Sequence, residues 1–254
     1  MMPQHPAPPS TSPAIESLAT RRPGLARYFF LALGCLYALV VVFGFVPSYQ
    51  DYLAGTFSIH PLAHIHGAIM ASFVVLFLAQ TGLAAAGSVR THRRLGLLSV
   101  GLAPLMWISM VAVARRPLVA ENLPVDHFLY DVLLIELLAI GLFPVYFVWG
   151  FLARRMPPAH RRLMVFTILV ILPAGIDRIR WLPHLGLPTH WGKDIYLYAL
   201  LAPLVLYDVV SVGRIHRVTL IATAGLVAGH MIVNALWGTP AWHQLAFALT
   251  NAVR

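Results

Sequence analysis

Charge is what this chain has least of. Acidic and basic side chains together make up 11% of its 254 residues, whereas a soluble domain carries about 25%. So little charge cannot cover a water-facing surface, which excludes an ordinary soluble fold and leaves the long apolar runs to face lipid. Lysine is nearly absent, with Lys193 alone. Cysteine is equally scarce: Cys35 stands by itself inside an apolar run. That excludes an intrachain disulfide, a CxxC pair and covalent haem attachment through CxxCH, so any haem is held non-covalently. HExxH, GxSxG, a Walker loop and a GxGxxG in a suitable context are all missing. The seventh apolar segment contains no lysine, which excludes a rhodopsin-type retinal Schiff base there.

What charge there is sums to +9, yet the arginines form no single basic stripe interleaved with aromatics, and nucleic acid is not an expected partner. They fall in short clusters between apolar runs, as they do in proteins that use positive loops to set membrane orientation. The lipid bilayer is therefore the expected partner. Residues 1–24 are rich in Pro, Ser and Ala without apolar periodicity and read as a disordered tail. The run that follows is long for a signal peptide and lacks a clear small-residue cleavage site, so it reads as a retained first helix.

Seven segments are long enough to cross a hydrocarbon core as helices, which takes about 20 residues: 25–47, 62–86, 96–114, 128–152, 162–181, 194–213 and 217–238. The expected architecture is an all-α bundle of seven transmembrane helices over 25–238. A short interfacial helix is expected in the tail 239–254, around Trp242, His243 and Phe247. Counting alternate loops, one side carries Arg21, Arg22, Arg27, Arg90, Arg93, Arg94, Arg154, Arg155, Arg161, Arg162, Arg214 and Arg217. The other carries Arg115, Arg116, Arg178, Arg180, Lys193 and Arg254. The asymmetry places the N-terminus in the cytoplasm and gathers Trp181, Trp191, Trp237 and Trp242 into an outer aromatic belt.

Pro104, Pro144, Pro173 and Pro203 lie inside expected helices, where each removes a backbone donor and can kink the chain; ordinary packing irregularity and a central cavity both accommodate them. A short repeat is also visible. Thr91-His92-Arg93-Arg94-Leu95 opens the third helix, Ala159-His160-Arg161-Arg162-Leu163 the fifth and, more weakly, Ile215-His216-Arg217-Val218 the seventh. This suggests three helical hairpins behind one extra first helix; a chance recurrence of His-Arg in arginine-rich turns is the alternative.

The segments Thr91–Gly96 and His160–Met164, taken with His66 and Gln80 in the helix before the first of them, resemble a group of poorly characterised bacterial multi-pass membrane proteins. Their shared feature is a cytoplasmic His-Arg-x-Leu-Gly/Met turn. The resemblance covers roughly residues 60–220. It implies a bacterial polytopic protein and carries no settled activity with it; the inner membrane is the expected location.

Ionisable groups inside a span are costly and usually face the bundle interior or a wet cavity. Three spans carry them near the outer side. His64, His66 and Met70 lie on the second, Asp131 and Glu136 on the fourth, and His230 and Asn234 on the seventh. From the helical rise, His66 and Asn234 sit roughly 6 Å below the outer end, and Met70, Glu136 and His230 roughly 12 Å below it. The expectation is one cavity shared by His66, Glu136 and His230, with Met70 and Asn234 beside it. It would serve as a metal site (His64, His66, Glu136, His230), as a haem b site (His66, His230, Met70) or as a proton relay. The alternative is a Glu136–His230 hydrogen bond that locks packing. Two residues apart, His64 and His66 point to different faces of a regular helix, so both could bind one ion only if the helix starts irregularly.

On the inner side His92, Arg93, His160, Arg161 and His216 suggest an anion site for an acidic lipid headgroup, a haem propionate or a small-molecule ligand, against the simpler reading of interfacial residues in basic turns. Asp208 is expected to pair with Arg214, Arg217 or a nearby histidine. Two functional classes follow: a membrane redox or metal protein using histidines near the outer face, and a non-enzymatic transporter or carrier. Behind them stands an accessory subunit whose polar groups serve packing.

Overall fold

The computed structural model describes residues 23–120, 123–183, 185 and 190–252; the expected tail, up to residue 22, lies outside them. Ten helices follow one another, with no strand among the described residues: α1 (Pro23–Leu53), α2 (Pro61–Ala85), α3 (Val89–Gly96), α4 (Leu98–Ala120), α5 (Leu129–Leu152), α6 (Pro157–Leu169), α7 (Pro173–Ile176), α8 (Trp191–Val212), α9 (Arg217–Leu236) and α10 (Pro240–Asn251). Seven stretches are long and apolar enough to cross a membrane, with α3 and α4 forming the third and α6 and α7 the fifth. The bundle is the all-α, seven-helix one expected from the sequence.

Local chemistry sets the helix limits. His60 accepts the Leu62 amide on its Nδ1 at 3.1 Å, and Pro61, which has no amide to leave unpaired, opens α2. His216 does the same for α9 through the Val218 amide at 3.2 Å. The α8 helix ends at Gly213 with φ at +74°, a left-handed cap that costs glycine little. Pro173 lacks the N–H that would continue α6, so the chain tightens through Val170–Leu172, where the Leu172 amide reaches back three residues to the Leu169 carbonyl at 3.2 Å, before α7 restarts. The third span begins earlier than expected, because Arg90, Arg93 and Arg94 ride on α3, none of whose residues is buried.

The fifth span is the hub. Its apolar window is 78% buried within the protein, against 17–39% for the other six. Leu163, Val165, Phe166, Ile168, Leu169 and Leu172 are each fully enclosed. Around them stand Tyr37 of α1, Phe143 and Tyr146 of α5, Leu201 and Leu204 of α8 and Leu226 of α9. Where α1 crosses the hub the backbones nearly touch: a Cβ on Gly44 would lie 2.3 Å from the Gly175 carbonyl oxygen. Two tyrosines tie helices together across the core. Tyr37 donates to the Leu200 carbonyl at 3.0 Å and Tyr146 to the Ala222 carbonyl at 2.8 Å.

The C-terminal helix α10 packs into the protein. Trp242, His243 and Ala246 are buried beside Leu118, Tyr130 and Leu134. The Trp242 indole donates to the Tyr130 carbonyl at 2.7 Å. Asp131 accepts from His243 Nε2 at 2.9 Å and from the Gly238 amide at 2.8 Å. Trp242 therefore spends its N–H inside the protein, whereas Trp181 is exposed.

Candidate metal centre

Two ends of the bundle carry polar clusters: the arginine-rich end, with the turns at 90–94, 154–162 and 214–217, and the opposite end, where α7 stops, α8 starts and α9 finishes. The second holds the denser chemistry. His190 directly precedes α8 and Asp194 lies in that helix's first turn, four residues on and so on the same side. The positive end of the α8 dipole favours a carboxylate there. Facing them, α9 carries His230 and, one turn further along the same face, Asn234.

The four side chains form one network. Asp194 Oδ1 pairs with His190 Nδ1 at 3.1 Å and with His230 Nδ1 at 2.7 Å. Its other oxygen accepts from Asn234 Nδ2 at 2.6 Å, and the same amide nitrogen also donates to the His230 carbonyl at 2.8 Å. Behind His190, its Nε2 stands 3.3 Å from Asp177 Oδ2. Asp194 and His230 are each 1% exposed and His190 6%, while Asp177 is exposed. Burial alone would lower the His190 pKa, but its hydrogen bonds to Asp177 and Asp194 outweigh that and push it up to about 9.

One ligand atom from each of His190, Asp194 and His230 lies within 4.8 Å of the others, close enough for small side-chain movements to bring all three onto one ion with bonds of about 2 Å. The groups behind them have the arrangement that metal ligands receive. A carboxylate holds the far nitrogen of His190, and an amide holds the second oxygen of Asp194. Tyr198 stands edge-on to His230, with ring centres 6.2 Å apart, and its buried hydroxyl has no hydrogen-bond partner among the described residues.

The expected grouping of His66, Glu136 and His230 forms no cluster of converging ligand atoms among the described residues. His230 turns to Asp194, and His66 and Glu136 lie outside the converging set. His66 Nδ1 is 3.0 Å from Ser109 Oγ, whose own proton goes to the Met106 carbonyl, so the imidazole is the donor. Arg178 lies within electrostatic reach of both His66 and Glu136. It is itself exposed and crosses over the Phe45 ring at 4.9 Å. Met70 packs on the apolar core. His64 stacks edge-on against Tyr52 at 4.7 Å, away from the converging imidazoles. Of the expected metal and haem residues, only His230 takes part, with Asn234 as its neighbour; His190 and Asp194 were not foreseen. The available signal was the four-residue spacing of His190 and Asp194 at a helix start, which the adjacent Lys193 and Trp191 disguise as an interfacial turn.

At the arginine-rich end the residues expected to hold an anion are largely engaged elsewhere. Arg162 is fully buried and pairs with Asp208 through Nε at 2.8 Å and through Nη2; Asp208 was expected to meet Arg214, Arg217 or a histidine. Its second oxygen accepts the His216 amide at 3.0 Å. Arg161 lies over the Phe30 ring at 4.8 Å and the Tyr207 ring at 5.6 Å. Burial and the Arg162 charge keep His216 below its ordinary pKa, in keeping with a ring whose Nδ1 lone pair caps α9. Arg93 is exposed. His92 and His160, from different hairpins, meet with ring centres 6.2 Å apart. Comparison with family models, with curated proteins and with solved structures finds no match to this chain.

Proposed function

We propose that this chain is a multi-pass metalloprotein of a bacterial inner membrane. In this reading its arginine-rich turns are cytoplasmic and its His190–Asp194–His230 centre lies near the outer face. The observation that carries the reading is the convergence of two imidazoles and a carboxylate inside a membrane bundle, with His190 and Asp194 each backed by a second hydrogen-bonding group. A buried cluster of this cost is otherwise hard to explain on apolar helices. Two nitrogens and one oxygen suit a divalent first-row ion of the zinc or ferrous class and leave coordination positions open for a ligand. Such an ion would supply Lewis-acid or one-electron chemistry, while His190, Asp194 and His230 hold it and Asp177 and Asn234 orient them.

The test is metal analysis of the purified full-length chain, with Co(II) titration followed by its visible absorption. This centre is expected to hold one ion per chain, so the stoichiometry falls by one in His230→Ala and Asp194→Ala and is unchanged in His243→Ala, which breaks the other buried His–Asp pair. A chain that takes up no divalent ion, or the same stoichiometry in all three variants, sinks the proposal and leaves a carrier or a packing role.

A further inference from the structure

The arginine-rich end contains a second pair of imidazoles that the centre above does not use. His92 on α3 and His160 on α6 each lie one turn into a helix at the arginine-rich end. Each sends its Nδ1 to a backbone carbonyl of the preceding membrane helix, His92 to Gln80 at 3.3 Å and His160 to Gly150 at 2.8 Å. A carbonyl only accepts, so both Nδ1 atoms carry the proton, and in the neutral rings both lone pairs sit on Nε2. Neither Nε2 has a hydrogen-bond partner among the described residues. The ring centres are 6.2 Å apart and the planes nearly perpendicular, at 83°. Two imidazoles on one ion, with metal–nitrogen bonds of about 2 Å, have centres roughly 5 Å apart at adjacent positions and roughly 6 Å apart at opposite ones.

We propose that His92 and His160 are the two protein ligands of a separate transition-metal centre at the arginine-rich end, either a bare ion or the iron of a non-covalent haem. Fixing the tautomer through a backbone carbonyl is how proteins aim the other imidazole nitrogen at a metal. Imidazole lone pairs do not suit the anion expected from the sequence alone. Two of the nearby arginines are engaged: Arg162 is paired with Asp208, and Arg161 lies over Phe30 and Tyr207. Gln80 adds an independent sign. Its carbonyl holds His92, and both polar atoms of its side chain are buried without a partner among the described residues. That side chain rests against Gly96, one turn beyond His92 on the same helix face. The exposed Arg93 and Arg94 of α3 are at hand for the propionates of a haem, a role a bare ion would not need.

This centre is independent of the one at His190, and the experiment separates them. Full-length protein in detergent is titrated in one arm with ferric haem, read by its Soret band, and in the other with Co(II). The variants are His92→Gln, His160→Gln and His230→Ala; glutamine keeps a donor for the Gln80 or Gly150 carbonyl but removes the imidazole. Saturable binding of at least one probe is expected to weaken by at least about tenfold in either glutamine variant and to persist in His230→Ala. A response in the haem arm identifies haem iron, and one in the Co(II) arm alone a bare ion. Should the glutamine variants fail to fold, the spin-echo spectrum of ferric haem or Cu(II) bound to His230→Ala protein supplies the answer without them. Two coordinated imidazoles support the centre. No binding of either probe, equal binding by folded glutamine variants, or a spectrum without imidazole nitrogen overturns it.

Discussion

Arg162 and Asp208 offer a direct test of how the hub is held. Both side chains are 0% exposed. The guanidinium gives two of its donors to one carboxylate oxygen and a third to the Pro158 carbonyl at 2.6 Å. The second carboxylate oxygen takes the amide that starts α9. Removing one charge from such a pair strands the other in the interior, which costs about 3–5 kcal/mol. For a chain of this size that lowers the melting midpoint by roughly 6–20 °C, at about 2–4 °C per kcal/mol. Asp208→Asn preserves the shape and isolates the charge effect. The double variant Arg162→Met with Asp208→Leu removes both charges and should lose less stability than either single change, because no buried ion remains unpaired. The assay is thermal unfolding in mild detergent, followed by the fluorescence of the six tryptophans. A single variant melting within about 1 °C of the parent, or a double variant no more stable than the singles, would refute the claim that the pair is a dry, mutually dependent unit.

Reporters fused after residues 92 and 122 should fall on opposite sides of the membrane, and the same side for both contradicts the arginine-based orientation. Gly44→Leu drives a side chain into the Gly175 backbone and should cost about 1–3 kcal/mol, seen as a lower melting midpoint; Gly101→Ala, with nothing within 4 Å of its Cβ position, is the control. Asp177→Asn should weaken Co(II) binding at the His190 centre by about 10–100-fold without changing the stoichiometry at saturation, and an unchanged affinity removes Asp177 from the site. In metal-free protein His190 holds its proton up to about pH 9, and a metal must displace it. Co(II) affinity measured from pH 6 to 9 should therefore rise, by up to about tenfold per pH unit; a flat profile excludes His190 as a ligand.

How the protein divides into lipid-spanning helices is written in composition, because a hydrocarbon core demands about 20 apolar residues whatever surrounds them. The arginine clusters and the prolines marked the turns and the break at Pro173 for the same local reasons. Which helix is the hub is not so written. Lipid tails are as apolar as leucine, so the pattern of a lipid-facing helix and that of an enclosed one look alike; Leu163 and Phe166, fully buried, read no differently in sequence from the exposed Leu206 and Val210. Sequence depth placed His230 and Glu136 in one layer, but depth says nothing about rotation around each helix axis. That rotation turns His230 toward Asp194 and leaves Glu136 within electrostatic reach of Arg178. The histidines of the two arginine-rich turns were visible from the start as a repeat. That they meet, with their lone pairs left free by carbonyls 12 and 10 residues upstream, is a property of the packed hairpins, since only packing fixes which of the two ring nitrogens carries the proton.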